Sequence, residues 1–401
     1  MSESPTILVI GPTPPPFHGV SVATDAVLNS ALRERFRLCH LDLADRRGIQ
    51  HVDKPDFHDV MLFLNQWWKL LVILRKERPA VAYLPVSQST IGFLRDSFLL
   101  LPAWAAGASV VLHLHGGNFK DWYDGRSFPM KSYVRMVLRR VSCVAVLGES
   151  LRHLFAGLVA PDRIAVLSNG IDWPAVHKPA REPDKPQRHR ILHLSTLSRL
   201  KGAPVLLAAI PMVLKIRQDV EFTLAGPWLH EQDRVEAEAF VADHGLSRHV
   251  VFTGPVSTLE HKRSIYSSAD LFVFPGIQQE GQPLVVLEAM ASGLPVLFTN
   301  RGCLRDTVIE GECGLEVRCN DSRHLADRIL WSLDHPAEIE RMGQNARERF
   351  ERFYTSERFV HHLGELFMLA SRTPCSVLRG PDMAMASVKG RWPGRRKGRP
   401  V

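Results

Sequence analysis

Two carboxylates eight positions apart, Glu280 and Glu288, bracket the run Gly-Gln-Pro-Leu-Val-Val-Leu, and Ala-Met-Ala-Ser-Gly-Leu-Pro-Val-Leu297 follows directly. A carboxylate presents two acceptor oxygens and is suited to gripping a vicinal diol. The spacing predicts that Gly281 and Gln282 leave a strand, that Pro283 takes the first helical position and that the helix ends near Ser292 and Gly293. Proline suits that position because its missing N–H would be unpaired there anyway, and glycine suits the exit. Such a helix start offers free N–H groups and a partial positive charge, a seat for a phosphate or a polar sugar. Glu280 falls at the edge of that seat and Glu288 on the second helical turn.

Three further stretches place polar groups at the ends of apolar strands. His113-Leu-His115-Gly-Gly117 sets two imidazoles on one face of a strand. No third ligand stands near them, so a metal is not expected. In Ser195-Thr-Leu-Ser-Arg-Leu-Lys-Gly202, an ammonium just before a glycine and an apolar helix points toward a cleft mouth, where leaving-group charge would collect. A solvated Lys/Arg pair is the plainer reading. The turn Gly11-Pro-Thr-Pro-Pro-Pro-Phe-His-Gly-Val20 precedes a helix, so Gly19 lets backbone approach a ligand; a proline-stiffened surface turn fits the same residues.

The Glu-x7-Glu pattern with Glu-Ala-Met-Ala-x-Gly-x-Pro-Val after it resembles the signature of retaining GT-B glycosyltransferases of family 4. The resemblance covers residues 6–370, helped by the order of the Ser168-Asn-Gly-Ile-Asp172 and Leu224-Ala-Gly-Pro227 loops. It implies an α/β fold of two doubly wound Rossmann-like domains facing each other across a cleft. It further implies that Glu280 holds donor hexose hydroxyls, Glu288 the nucleotide ribose, and Lys201 the departing diphosphate. His115 would face the hexose, making His115, Lys201 and Glu280 the catalytic set. Gly19, Arg199, Gly281, Gln282 and Leu284 complete the donor-binding set. Two departures stand out: Thr196 replaces the family's usual arginine, with Arg199 as its expected substitute, and Pro283 removes one main-chain donor common in the family. The implied reaction is retaining transfer of a hexose from a nucleotide-diphosphate sugar to an acceptor hydroxyl, in glycolipid or surface polysaccharide synthesis. The leaving phosphate would take the acceptor's proton, with no tightly bound metal and no cofactor beyond the donor. A sugar-nucleotide epimerase on the same fold, or a catalytically silent sugar-nucleotide-binding subunit, would share the donor features.

Positioning these groups requires parallel sheets, and short apolar strands alternate with helical segments throughout. Strands are predicted at Ile7–Ile10, Ala80–Leu84, Val110–Leu114, Cys143–Leu147 and Ile164–Leu167, with helices such as Val22–Leu32 and Phe57–Glu77. A proline-rich, charged linker spans Val176–Arg190. The second series has strands at Arg190–Leu194, Val220–Ala225, Val250–Thr253, Leu271–Phe274, Pro295–Phe298 and Gly314–Val317, with helices at Ala203–Ile216, Asp233–His244 and Leu259–Ser267. The domains are therefore drawn as 1–178, on the acceptor side, and 186–349, for the nucleotide sugar. A helix over Glu340–Leu369 is expected to cross back to the first domain, and 372–401 forms a basic, disordered tail.

At 401 residues with 45% hydrophobic and 23% charged residues, the chain has globular proportions for two domains. The net charge of +8 suggests a nucleic-acid binder until it is located. From Arg372 to Val401 eight Lys/Arg stand against Asp382 alone, so the tail carries +7 and the body only +1. No nucleic-acid partner is expected; the tail reads either as a contact for anionic membrane or as a solvated end. The six cysteines contain no Cys-x-x-Cys, which points to reduced thiols in a cytoplasmic protein, peripheral on the inner face of the membrane if the tail binds lipid. No cleavable secretory signal is read at the N-terminus. The stretch between Asp96 and Lys120 lacks Asp, Glu, Lys and Arg. Pro102, Gly107 and Gly116-Gly117 interrupt it, so it reads as a buried helix followed by a strand. Gly-x-Gly, a Gly-x4-Gly-Lys-Ser/Thr loop and Asp-x-Asp are all absent, which disfavours a dehydrogenase and a phosphate-loop enzyme.

Overall fold

A computed structural model describes residues 4–15, 19–44, 57–174 and 188–372. The tail beyond Arg372, Cys375 and most of the proline-rich linker lie outside the described residues.

The first lobe runs β1 (Thr6–Gly11), α1 (Gly19–Leu28), α2 (Leu32–Arg35), β2 (Arg37–Asp42), α3 (Phe57–Glu77), β3 (Val81–Pro85), α4 (Thr90–Ala105), β4 (Ser109–Leu114), α5 (Phe119–Asp124), α6 (Phe128–Arg139), β5 (Cys143–Val146) and β6 (Ile164–Val166). Its six strands pair in the order β2-β1-β3-β4-β5-β6, all in parallel. Every residue of β4 is buried, as a strand covered by helices on both faces must be.

The second lobe runs β7 (His189–Leu194), α7 (Ala203–Leu214), β8 (Val220–Ala225), α8 (Glu231–Asp243), β9 (Val250–Gly254), α9 (Leu259–Ser268), β10 (Leu271–Phe274), α10 (Leu284–Ala291), β11 (Val296–Thr299), α11 (Leu304–Thr307), β12 (Gly314–Val317), α12 (Ser322–Asp334) and α13 (Pro336–Phe353). The strand order is β12-β11-β10-β7-β8-β9, again parallel. The chain leaves β7 toward β9 and then returns to β10 on the other side. Loops after β7 and β10 therefore diverge at a topological switch point, where ligands of such sheets bind. In the first lobe the same switch lies between β1 and β3.

The fold differs from the sequence expectation in several places. Strand β2 was not anticipated; its Arg-Leu-Cys-His-Leu-Asp sequence is only half apolar, as suits a sheet edge. Helix α12 was also not anticipated. The single helix expected over Glu340–Leu369 is two, α13 and α14 (Ser356–Arg372), broken at Tyr354 and Thr355. At the break Ile171 N donates to Tyr354 O at 3.0 Å and Ser356 N to Ile171 O at 3.1 Å. The returning chain thus pairs with the end of the first lobe. Beyond it, Phe359, Leu363 and Phe367 of α14 join the first lobe's core with Ile7, Val9 and Tyr83.

Candidate active site between the lobes

Helix α10 begins one residue later than its sequence suggests. Pro283 has φ −63° and ψ 124°, so it is the extended capping residue, and Leu284 is the first helical one. The Pro283 carbonyl accepts from Val286 N at 3.1 Å. The helix ends at Ser292 and Gly293, whose φ of +72° is the left-handed exit that glycine takes without strain.

The start of α10 opens on a cavity of about 750 Å³ between the lobes. The structure brings Gly19, His115, Lys201, Glu280, Gly281, Gln282, Leu284 and Glu288 together on its wall. Glu280 and Glu288 are both nearly enclosed, at 8% and 6% exposure, and each carries a lysine. Lys201 Nζ lies 2.6 Å from Glu280 Oε1, which also accepts from Gln278 Nε2 at 2.7 Å. Lys262 Nζ lies 2.5 Å from Glu288 Oε1, and Tyr266 Oη is 2.9 Å from Glu288 Oε2. Burial first, and then the Glu288 charge, push the Tyr266 phenol well above its ordinary range, so it remains a protonated donor.

Lys201 is aimed by its neighbour. Gly202 has φ +85°, and a Cβ there would sit 2.2 Å from Pro275 O, so only glycine permits this turn. His115 is half-buried at the end of β4, and its Nε2 is enclosed with no hydrogen-bond partner among the described residues. Burial lowers its pKa to about 4, which keeps the imidazole neutral and able to donate to or accept from an uncharged ligand group. His113 is different. Tyr83 Oη sits 2.7 Å from its Nδ1 and Leu167 O 3.3 Å from its Nε2, so both nitrogens are used internally.

Arg199 does not reach the cavity. Its guanidinium lies on the outer side, with Nε 3.1 Å from Asp233 Oδ1 and an ion pair to Glu236, both on α8. Two acids on a helix turned away from the cleft hold it there, so it does not replace the arginine missing at Thr196, which lines the wall uncharged. The second lysine at the wall is Lys262, from α9. Sequence reasoning missed both Lys262 and Tyr266. The signal was their spacing of four within a recognised helix, which stacks them on one face.

Gln282, expected to meet the donor, lines the cavity while its side-chain amide reaches across the lobes. Its Oε1 accepts from Asn169 N at 2.7 Å, its backbone O accepts from Asn169 Nδ2 at 3.1 Å, and its Nε2 donates to Thr307 Oγ1 at 3.1 Å. Nearby, Ser150 N and Oγ both donate to Asp306 Oδ2 at 2.7 Å. The lobes also meet with no room for side chains. A Cβ on Gly281 would lie 2.2 Å from His115 O, and one on Gly117 would lie 2.6 Å from Glu280 O.

Two carboxylates, two ammonium groups, a neutral imidazole and a helix start around one cavity suit a ligand that is rich in hydroxyls and anionic at one end.

The family model described as "Glycosyl transferases group 1" matches residues 177–349. The chain is 28% identical over 278 residues to a glycogen synthase of Mycobacterium tuberculosis, covering 66% of this chain and 63% of that protein. It is 30% identical over 271 residues to a GDP-mannose-dependent alpha-(1-6)-phosphatidylinositol monomannoside mannosyltransferase of the same species, covering 62% of this chain and 67% of that protein. Among solved structures, a glycosyltransferase from Rickettsia africae superposes with a TM-score of 0.71 at 18% identity, covering 92% of this chain and 99% of that one. HepE of Anabaena, solved in complex with UDP and glucose, gives 0.70 at 18% identity, covering 90% and 99%. These structural likenesses speak to the fold, which is GT-B. With its two parallel sheets facing each other across the paired glutamates, the chain belongs to the glycosyl transferases group 1 family.

Proposed function

We propose that the cleft binds a nucleotide-diphosphate hexose and that the protein transfers the hexose, with retention, to an acceptor hydroxyl of a glycan or lipid-linked glycan, as members of family 4 do. The observation that carries this reading is the convergence of Glu280, Glu288, Lys201 and the unpartnered His115 Nε2 on one wall. Glu288, held by Lys262 and Tyr266, grips the ribose diol. Glu280 and His115 hold hexose hydroxyls. Lys201 and the N–H groups at the start of α10 stabilise the diphosphate as the bond from the anomeric carbon to phosphate oxygen breaks. The acceptor oxygen bonds to that carbon on the same face, and its proton passes to the departing phosphate. No protein base is required, and Lys201 and Lys262 supply the charge compensation in place of a tightly held metal.

The test is a thermal-shift panel of UDP-, GDP- and ADP-sugars, because a ligand that binds the native state alone raises the apparent melting temperature. One donor class is expected to raise it. That donor is then incubated with and without an acceptor pool and a chelator. Product that requires acceptor and survives chelation supports the reading. Donor consumed without acceptor indicates an epimerase, and stabilisation by none of the panel rejects the assignment.

A further inference from the structure

Helices α3, α4 and α6 cover one face of the first sheet, while α1, α2 and α14 cover the other. The two cores they form are separate: Leu70 and Leu74 of α3, Phe93 and Leu99 of α4 and Val137 and Leu138 of α6 share one of them. Helices in such a layer ordinarily turn a polar face outward. These do not. On α3 the exposed side chains Val60, Leu64, Trp68 and Val72 recur every four residues, and Trp68 is 66% exposed. On α4, Ile91 (67% exposed), Phe98 and Leu101 follow the same outward line. Helix α6 adds Phe128 at 78% exposure and Met136. The helices lie side by side: Ser97 Oγ is 2.7 Å from Tyr133 Oη, joining α4 to α6, and Phe93 packs on Trp122 of α5 at 5.3 Å between ring centroids. Large apolar side chains exposed together on one helical layer in this way mark an interaction site.

Its charges say with what. Lys69, Arg75 and Lys76 are exposed on α3, and Arg135 and Arg139 on α6, with Lys131 half-buried beside them. Lys131 Nζ and the Arg135 guanidinium lie over the Tyr123 ring, 5.8 and 5.9 Å from its centroid. Acids are fewer among the described residues, and Asp121 of α5 is exposed. Helix α6 has none, Glu77 of α3 is turned to Arg37, and Asp96 of α4 is buried against Arg95 and Ser87 N. Asp124 of α5 is held by Lys120.

We propose that this face docks the first lobe on an anionic lipid bilayer, with Leu64, Trp68, Phe98 and Phe128 entering the interface and the cations of α3 and α6 meeting headgroup phosphates. Tryptophan and interleaved Lys/Arg are the residues of a membrane-surface element. A second copy of the chain fits less well, because two such faces would bring cation stripes together with few exposed acids to answer them. The orientation is productive. In a parallel sheet the helices begin at the carboxyl ends of the strands, so Val60, Leu64, Ile91 and Phe128 lie on the cleft side of the lobe, where His115 ends β4. The docking surface stands apart from the sugar-transfer reading and holds whatever the cleft binds.

The test is flotation of the full chain with vesicles of phosphatidylcholine alone and of phosphatidylcholine mixed with phosphatidylglycerol. Binding is expected to the mixed vesicles and to weaken with salt. Leu64→Ser with Trp68→Ser, and separately Lys131→Glu with Arg135→Glu, should each reduce partitioning by roughly tenfold or more. Melting temperature should stay unchanged in the Leu64→Ser, Trp68→Ser variant, because both side chains are exposed. Wild-type partitioning by both variants overturns the proposal. So does loss of binding only when Arg395, Arg396 and Lys397 of the tail are changed to Gln, or a dimer in sedimentation velocity that Trp68→Ser dissolves.

Discussion

Replacing Lys262 with Met tests whether the Glu288 carboxylate is held in advance of ligand. Lys262 Nζ stands 2.5 Å from Glu288 Oε1, with side chains 27% and 8% exposed. Truncating one partner of a fully buried pair costs about 3–5 kcal/mol, whereas exposed pairs are worth about 1 kcal/mol or less. The Lys262–Glu288 pair lies between those limits, and Tyr266 Oη still serves Glu288 after the change. The expected destabilisation is therefore about 2 kcal/mol, or a melting shift of roughly 4–8 °C if the second lobe unfolds as a unit. Thermal and urea unfolding without nucleotide measure it. Glu288→Gln and the double variant complete a cycle whose expected coupling is about 1–2 kcal/mol. Donor affinity by calorimetry should fall roughly tenfold, equivalent to about 1.4 kcal/mol, because an uncompensated carboxylate then faces an anionic ligand. If the two single changes simply add, within about 0.5 kcal/mol, the pair is not the device described and the reasoning fails.

Glu280→Ala and Lys201→Ala should each lower kcat/KM by about 100-fold or more while the fold survives, since a removed transition-state contact costs on the order of 3 kcal/mol; near-normal turnover in both variants refutes their roles. Acid should destabilise the protein through His193, which is fully buried, hydrogen-bonded to Val273 O and Ser195 Oγ, and lowered by burial to about 4. Its stabilisation is complete above the unfolded value near 6.5 and is lost as pH falls from there toward 4, because only the unfolded chain then takes the proton. Between pH 7 and pH 5 that amounts to about 2 kcal/mol from this residue, and a His193→Gln variant with an equally steep acid dependence in chemical denaturation would contradict it. Gly302→Ala should destabilise by about 3 kcal/mol or more and depress donor binding, because a Cβ there would fall 1.6 Å from Glu280 O at a φ of +60°; circular-dichroism melting that matches wild type counts against it.

Much of this architecture is legible because parallel strands are buried on both faces and read as short apolar runs. Val220–Ala225, Leu271–Phe274 and Gly314–Val317 coincide with the observed strands for that reason. The half-polar β2 lacks the signal. Helix α12 carried one, with Leu325, Ile329 and Leu333 four apart and buried, that the reading passed over. The break before α14 is not local at all, since it depends on Ile171 reaching Tyr354. At the site, residue type and spacing point to Glu280, Glu288 and Lys201 and the family resemblance to His115, and all four line the cavity. Direction is another matter. Arg199 turns to Asp233 and Glu236 because of where α8 packs, and Lys262 meets Glu288 because α9 crosses α10. Neither fact is written near those residues in the chain.

The segment from Gln279 to Gln282 belongs to the second lobe, yet its neighbours are Gly117, the His115 carbonyl and Asn169 of the first. A grip built across a seam cannot be indifferent to whether the seam is shut. If the lobes swing apart, the Asn169 bonds part and Glu280 loses the close backbone neighbours that steady it. Cargo at Glu280 should in turn hold the halves together, so occupancy and closure become one equilibrium rather than two, with Gln282 as its latch.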